Sequence, residues 1–374
     1  MYTEVFDMTR SLPSVSDGRP RIVLIAPGPK IPSGQGAQAS TLAAELRHDG
    51  SDALLLPLDP PFPNGAGWLK RIPFAGSLQK LRAADVVHIF AVADRSFFSI
   101  IGPATQLAKR WGKRVVLSFY NGDAVDHATA LGPWMKRVDD IVVPSRSFQR
   151  IFALHGHRAR IIPAIVDVCR FHYRKRAPLQ PHFLSTRGLD SEHDVENTLL
   201  AFALVRTRYA EATLTIAGTG SEANELRRLS ESLGDRGIRF LGRIEPSAMP
   251  RLYEEADIFL NSSLADYQPT AVLEAMASGL PVITTGSGDL PLLVQDGITG
   301  MIVPPQDPST MAKAAAILLE RPGFAQQICY RAKERLDPHT WSHVRDAWAA
   351  VYAGRPALSP ARMENGTHGT SHAA

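Results

Sequence analysis

The sequence predicts an α/β protein built from two Rossmann-like, doubly wound domains that face each other across a cleft. Three observations predict it. The 374 residues are enough for two cores, at roughly 100–200 residues per domain. Apolar runs of strand length alternate with stretches of helical period along most of the chain. The runs are continuous in Val, Ile and Leu, as strands covered by helices on both faces require.

The elements follow in order. Residues 1–19 read as a polar, flexible leader. The first domain, 20–170, carries RIVLIA at 21–26, ALLLPL at 53–58, DVVHIFA at 85–91, RVVLSF at 114–119, DIVVP at 140–144 and RIIPAI at 160–165. Helical stretches lie between several of them, as at 37–49 and 96–111. A basic linker closes the domain over 171–181, within CRFHYRKRAPLQP. The alternation restarts in a second domain, 182–338, with HFLST at 182–186, ATLTIAG at 212–218, IRFLG at 238–242, DIFLNSS at 257–263, PVITT at 281–285 and GMIVP at 300–304. Helical patterns fall at 222–233, 271–278, 309–320 and 324–336, and a last helix at 339–353 is expected to pack back on the first domain. The small, polar residues 354–374 read as a disordered tail.

Composition narrows the function classes. With 44% hydrophobic and 21% charged residues the chain is an ordinary globular one. Forty-one Lys and Arg against 37 Asp and Glu leave a net charge of +4, too small and too dispersed for a nucleic-acid partner. Cys169 and Cys329 are too few for a disulfide framework or a Cys-rich zinc site, so both are expected to be buried free thiols. No basic start followed by an apolar run marks a signal peptide, and no stretch has the length of a bilayer span. The expectation is a cytoplasmic protein that contacts a membrane at most peripherally.

The most informative stretch is SSLADYQPTAVLEAMASGLPVITTGSG, 262–288. A strand gives way to a loop holding Asp266 and Pro269, and a helix starts near Thr270 with Glu274 a turn inside. The free N–H groups and dipole of such a helix suit an anion. A carboxylate one turn in can accept two hydrogen bonds from a vicinal diol such as ribose. Taken alone, Glu274 reads better as a first-turn acid that steadies the helix dipole. The surrounding loop, helix and Gly-Leu-Pro-Val pattern favours the binding role.

With these residues the sequence resembles the retaining family-4, or group 1, glycosyltransferases of the GT-B fold. That family carries an acid-x7-acid motif in a stretch like LEAMASGLPVITT, followed by GG-x-x-E-L-V-x-D-G-x-T-G; here the latter reads SGDLPLLVQDGITG. AGTGSEANELRRLSESLG and IRFLGRI, within 217–244, and the arginine of STRGLDSEHDVENTLLAFALV match as well. The resemblance covers nearly all of 20–353 and is strongest in the second half.

The resemblance implies a nucleoside-diphosphate sugar, with UDP or GDP, as donor and a carbohydrate, lipid-linked or small-molecule hydroxyl as acceptor. It assigns Glu274 to the donor ribose. Asp266, with main-chain N–H groups of Tyr267, Gln268, Pro269 and Thr270, would orient the sugar hydroxyls, and Arg187 would clamp the diphosphate. His193, Gly218, Gly242 and Arg243 would line the donor, faced across the cleft by Gly34 and Gly36 of PGPKIPSGQGAQAST. No Asp-x-Asp motif occurs, so neither metal nor cofactor is expected and the leaving group falls to arginine and a helix N-terminus.

Two positions depart from the family pattern. His193 stands where many relatives have lysine, and the usual histidine after the fourth strand is replaced in SFYNGDAVDHATA. Tyr120, Asn121 or His127 are the acceptor-side candidates there. His88 reads more simply as a hydrogen-bonded strand histidine. The mixed basic and apolar residues of 67–85 and 132–137 suit contact with anionic lipid and equally suit an ordinary amphipathic helix. The reading is a retaining glycosyltransferase. Its rivals are a nucleotide-sugar epimerase, a sugar-phosphate synthase on the same fold, or a degenerate partner subunit.

Overall fold

In the computed structural model the described residues are 19–28, 34–58, 74–91, 95–120, 134–234, 236–267 and 269–356. They form two six-stranded sheets in which every neighbouring pair is parallel. The first contains β1 (Ile22–Pro27), β2 (Ala53–Leu58), β3 (Val86–Ala91), β4 (Arg114–Phe119), β5 (Asp140–Val143) and β6 (Arg160–Ile161), in the order β2-β1-β3-β4-β5-β6. The second contains β7 (His182–Ser185), β8 (Thr213–Ala217), β9 (Ile238–Gly242), β10 (Ile258–Asn261), β11 (Val282–Thr285) and β12 (Met301–Val303), in the order β12-β11-β10-β7-β8-β9. Each sheet is doubly wound, and each expected apolar run holds a strand. Strands β1, β3, β5, β10 and β11 are buried at every residue, which is why their sequences show no alternation.

Strand β6 is shorter than its apolar run because Pro163 has no N–H to continue the ladder. A side chain takes over from the sheet there. The buried Gln38 amide accepts from the Ile165 N–H and donates to the Ile165 carbonyl, both at 2.8 Å.

The basic segment between the sheets is bound, not loose. The Arg176 guanidinium is buried and donates to the carbonyls of Ala256, Arg174, Ser278 and Tyr253. Burial, then the neighbouring Arg174, lowers its pKa to about 10. Its charge is a structural clamp on the second domain and contributes no open basic surface. Of the two cysteines, Cys329 is buried as expected, but Cys169 is exposed in the turn that enters this segment.

The helix Trp341–Tyr352 lies against the first sheet. The Tyr352 hydroxyl is 2.9 Å from Nδ1 of His88, whose Nε2 is 2.7 Å from Ser118 Oγ. Arg114 Nε donates to the Val351 carbonyl, and Trp341 Nε1 to Asp49. His88 sits within β3, fully buried, and burial drives its pKa down to about 3. It is the hydrogen-bonded core histidine of the simpler reading. One continuous core cluster includes β1, β3 and Trp348 on one side and Leu184, Tyr253 and Val272 on the other.

Candidate active site

In an open α/β sheet the ligand crevice lies beyond the carboxyl ends of the strands, where the strand order reverses. In the second sheet that point falls between β7 and β10, adjacent in the sheet but distant in sequence. Arg187 leaves β7 and Asp266 follows β10, and their side chains meet there. Nη2 of Arg187 is 3.0 Å from Oδ2 of Asp266, with both side chains largely withdrawn from solvent. Asn261 Nδ2 donates to the same carboxylate at 3.3 Å. A buried charge is tolerable only when paired and hydrogen-bonded, and this pair satisfies both conditions.

His193 completes the cluster. Its Nδ1 is 3.3 Å from Nη2 of Arg187 and 3.3 Å from Oγ of Ser263. Burial, and secondarily the Arg187 charge, lowers its pKa to about 3, so the imidazole is neutral and accepts from the guanidinium. It supplies no positive charge where many relatives have lysine. Gly188 makes room for it, since a Cβ there would lie 2.9 Å from the ring.

The helix Thr270–Ala277 begins beside this cluster. Its Glu274 is half-buried, and desolvation raises its pKa to about 7 despite a hydrogen bond from Tyr253 and the fields of Arg170 and Arg187. The Tyr253 hydroxyl donates to Oε2 of Glu274 at 2.8 Å and lies 2.6 Å from Thr186 Oγ1, while its ring stacks on Phe259. At the helix start Pro269 has no N–H, so main-chain donors there come from its neighbours, a correction to the expected run through 267–270. Gln268 lies outside the described residues.

The glycines act through close approach. A Cβ on Gly218 would overlap the Arg187 carbonyl, so β8 can pass beside the arginine backbone only with glycine there. Gly288, at φ +61°, lies against the Asp266 backbone in the same way. Gly242 ends β9 at φ +66°, with exposed Arg243 next to it.

The first domain meets the donor loop at Phe148. Phe148 meets the Tyr267 ring edge to face, centroids 5.7 Å apart, so the donor loop touches the opposite domain. Gln35, at the N-terminus of the helix Gly34–His48, is 3% exposed, and neither polar atom of its amide has a partner among the described residues. Gly34 and Gly36 flank it.

Of the acceptor-side candidates, Asn121 and His127 lie outside the described residues. Tyr120 is a core residue and not a lining one, 3% exposed and stacked on Phe90 at 5.9 Å. Burial pushes its phenol pKa up, offset in part by a hydrogen bond with Ser118. Of the two readings of 132–137, Trp134 fits the ordinary amphipathic one: it packs on the helix Arg95–Arg110, where a Cβ on Gly102 would lie 2.6 Å from its ring.

Among the residues that escaped the sequence reading are Tyr253, Gly188, Ser263, Asn261 and Phe148. Tyr253 lies 21 residues from Glu274 in sequence, and no motif spacing signals the contact. Among the described residues no group of three or more His, Cys, Asp or Glu could hold a metal ion.

The match to known proteins follows this geometry. Residues 180–321, which hold the Arg187, Asp266 and Glu274 cluster, match the family model described as glycosyl transferases group 1. The second domain thus matches the group 1 glycosyltransferases, and the two doubly wound domains together have the GT-B arrangement. The chain is 28% identical over 288 residues to a glycogen synthase of Mycobacterium tuberculosis, covering 72% of this chain and 68% of that protein. It is 27% identical over 182 residues to an alpha-monoglucosyldiacylglycerol synthase of Streptococcus pneumoniae, covering 44% of this chain and 41% of that one. Its fold is similar to that of Anabaena HepE in complex with UDP-glucose, at TM-score 0.71 and 16% identity over 89% of this chain and 99% of that one. Among the described residues no helix is long and apolar enough to cross a membrane.

Proposed function

We propose that the chain transfers a sugar from a UDP- or GDP-sugar to a hydroxyl acceptor with retention of anomeric configuration. The observation that carries this reading is the Arg187–Asp266 pair at the strand-order reversal, 3.0 Å apart and beside the helix bearing Glu274. Arg187 stays charged and offers its fork to the diphosphate, aided by the free N–H groups of the helix Thr270–Ala277. Arg187 Nε and Thr270 Oγ1, buried and without partners among the described residues, are donors held ready for such a ligand. Glu274 accepts from the ribose hydroxyls, and Asp266 from the sugar.

Chemistry then follows from positioning and charge stabilisation. The acceptor hydroxyl approaches the face from which the diphosphate departs. The departing oxygen takes the hydroxyl proton while Arg187 and the helix terminus hold the developing charge, so no metal ion or cofactor is invoked. Phe148 against Tyr267 helps to exclude water from the activated sugar.

The acceptor is carbohydrate, lipid-linked or small, and it enters from the first domain. Exposed Lys136 and Arg137, with Leu154 86% exposed on the same domain, suit peripheral contact with anionic lipid. Sedimentation with vesicles of increasing anionic content tests that contact, which predicts binding that rises with charge.

The enzyme reading is tested by a donor panel with wild type, Glu274→Ala and Arg187→Ala. Donor hydrolysis or transfer by wild type and loss of at least 100-fold in both variants is the expected result. Wild-type rates in both variants would remove the site assignment.

A further inference from the structure

Where the family motif reads GG-x-x-E, this chain reads Gly288-Asp289-Leu290-Pro291-Leu292. The acid has left the fifth position, where Leu292 is exposed, and a carboxylate stands at the second glycine instead. Asp289 is 5% exposed, and among the described residues neither Oδ1 nor Oδ2 has a hydrogen-bond partner. Its N–H donates to the Asp266 carbonyl at 2.8 Å, and Gly288 lies against the Asp266 backbone. Asp289 therefore sits on the loop after β11, against the backbone of the loop that carries Asp266, with exposed Gly286 and Gly288 just before it.

A buried carboxylate without donors is costly, and native proteins keep such groups where a ligand or a reaction uses them. Arg187 cannot serve it, since its ion pair is with Asp266. We infer that Asp289 is a specificity residue for the donor's sugar, accepting hydrogen bonds from its hydroxyl groups and disfavouring a sugar that carries a carboxylate. The inference rests on the donor-site reading above. It narrows the donor class to neutral hexoses, or hexoses bearing an amine, and away from uronic acids. The same hydrogen-bond donors on the sugar relieve the desolvated oxygens on binding, and a second carboxylate at this place would add repulsion in a poorly screened environment.

The test separates nucleotide from sugar recognition. Calorimetry on the full chain measures the affinity for UDP and GDP, and for the glucose and glucuronic acid conjugates of whichever nucleotide binds. Thermal denaturation of the unliganded protein accompanies it. Asp289→Ala should leave nucleoside diphosphate affinity within about twofold. It should weaken the glucose donor by roughly tenfold and narrow the preference for glucose over glucuronic acid by a similar factor. The unliganded variant should melt at an equal or higher temperature, because a buried carboxyl group without partners among the described residues has been removed; a purely structural aspartate would lower it. Asp289→Asn should show the same direction with a smaller loss. An unchanged glucose-to-glucuronic-acid ratio in Asp289→Ala, with nucleotide binding intact, overturns the inference while leaving the donor site standing. Failure of wild type to bind either nucleotide overturns both.

Discussion

The Tyr253 hydroxyl donates a hydrogen bond of 2.8 Å to Glu274, a carboxylate that burial holds at a pKa of about 7. The carboxyl group proposed to meet the donor ribose is thus kept dry by the core and steered by a buried phenol. Its desolvation weighs more than the combined pull of Tyr253, Arg170 and Arg187. Such a group trades stability for a binding function, and both sides of the trade are measurable.

For stability, the sign follows from proton uptake. Folding raises the Glu274 pKa from an ordinary 4.5 to about 7, so between those values the folded state holds more protons than the unfolded chain. The cost is absent below pH 4.5, grows up to about pH 7 and is constant above. Glu274→Gln should therefore gain on the order of 2 kcal/mol above pH 7 and nothing near pH 4. Thermal melts across that range check the slope. Donor affinity should move oppositely, weakening in wild type as pH falls below about 7, when the carboxylate that accepts from the diol becomes protonated.

Replacing Arg187 by lysine should fail almost as fully as replacing it by alanine. A compact ammonium does not reproduce the planar fork that meets Asp266 and offers further donors to a diphosphate. Loss of 100-fold or more in turnover is expected for both. Arg187→Ala also leaves Asp266 buried and unpaired, at a stability cost of about 3 kcal/mol. Steady-state kinetics and denaturant titration read the two effects separately.

Gly218→Ala should damage the same arginine from a distance. The added methyl overlaps the Arg187 carbonyl, which is main chain and must move. The expected result is a rise in the Kd for nucleoside diphosphate of tenfold or more with the fold retained, checked by calorimetry and circular dichroism.

Arg176→Met should destabilise the protein by about 3 kcal/mol or more, because it strands the four carbonyl acceptors that the buried guanidinium serves. Chemical denaturation measures this. Lysine is no remedy, since three donors on a point charge cannot reach four acceptors set out for a guanidinium.

His88 supplies a pH test on the opposite limb. Its pKa of about 3 lies below the ordinary 6.5, so between those values the unfolded chain binds a proton that the folded state refuses. Stability is lost as pH falls below 6.5. His88→Gln should flatten the fall in melting temperature between pH 6.5 and pH 4, at a fixed cost of about 1 kcal/mol from its altered bonds to Tyr352 and Ser118.

Much of this protein was legible in its residues alone. Each of the twelve strands lies in an apolar run because a parallel sheet buried on both faces leaves a continuous hydrophobic signature. Asp266, Thr270 and Glu274 could be singled out together because one loop and one helix hold them within nine residues. Local geometry sufficed for that.

Tertiary structure decided the rest. The pairing of Arg187 with Asp266 spans 79 residues and arises because β7 and β10 lie side by side at the strand-order reversal. Folding also set the environments of polar groups that composition merely counts: Arg176 became a carbonyl clamp, His193 a neutral acceptor, and Asp289 a buried carboxyl group without partners among the described residues. Sequence sets which groups are present and which segments must be buried. The solvation and partners that fix their chemistry exist only once distant strands have packed.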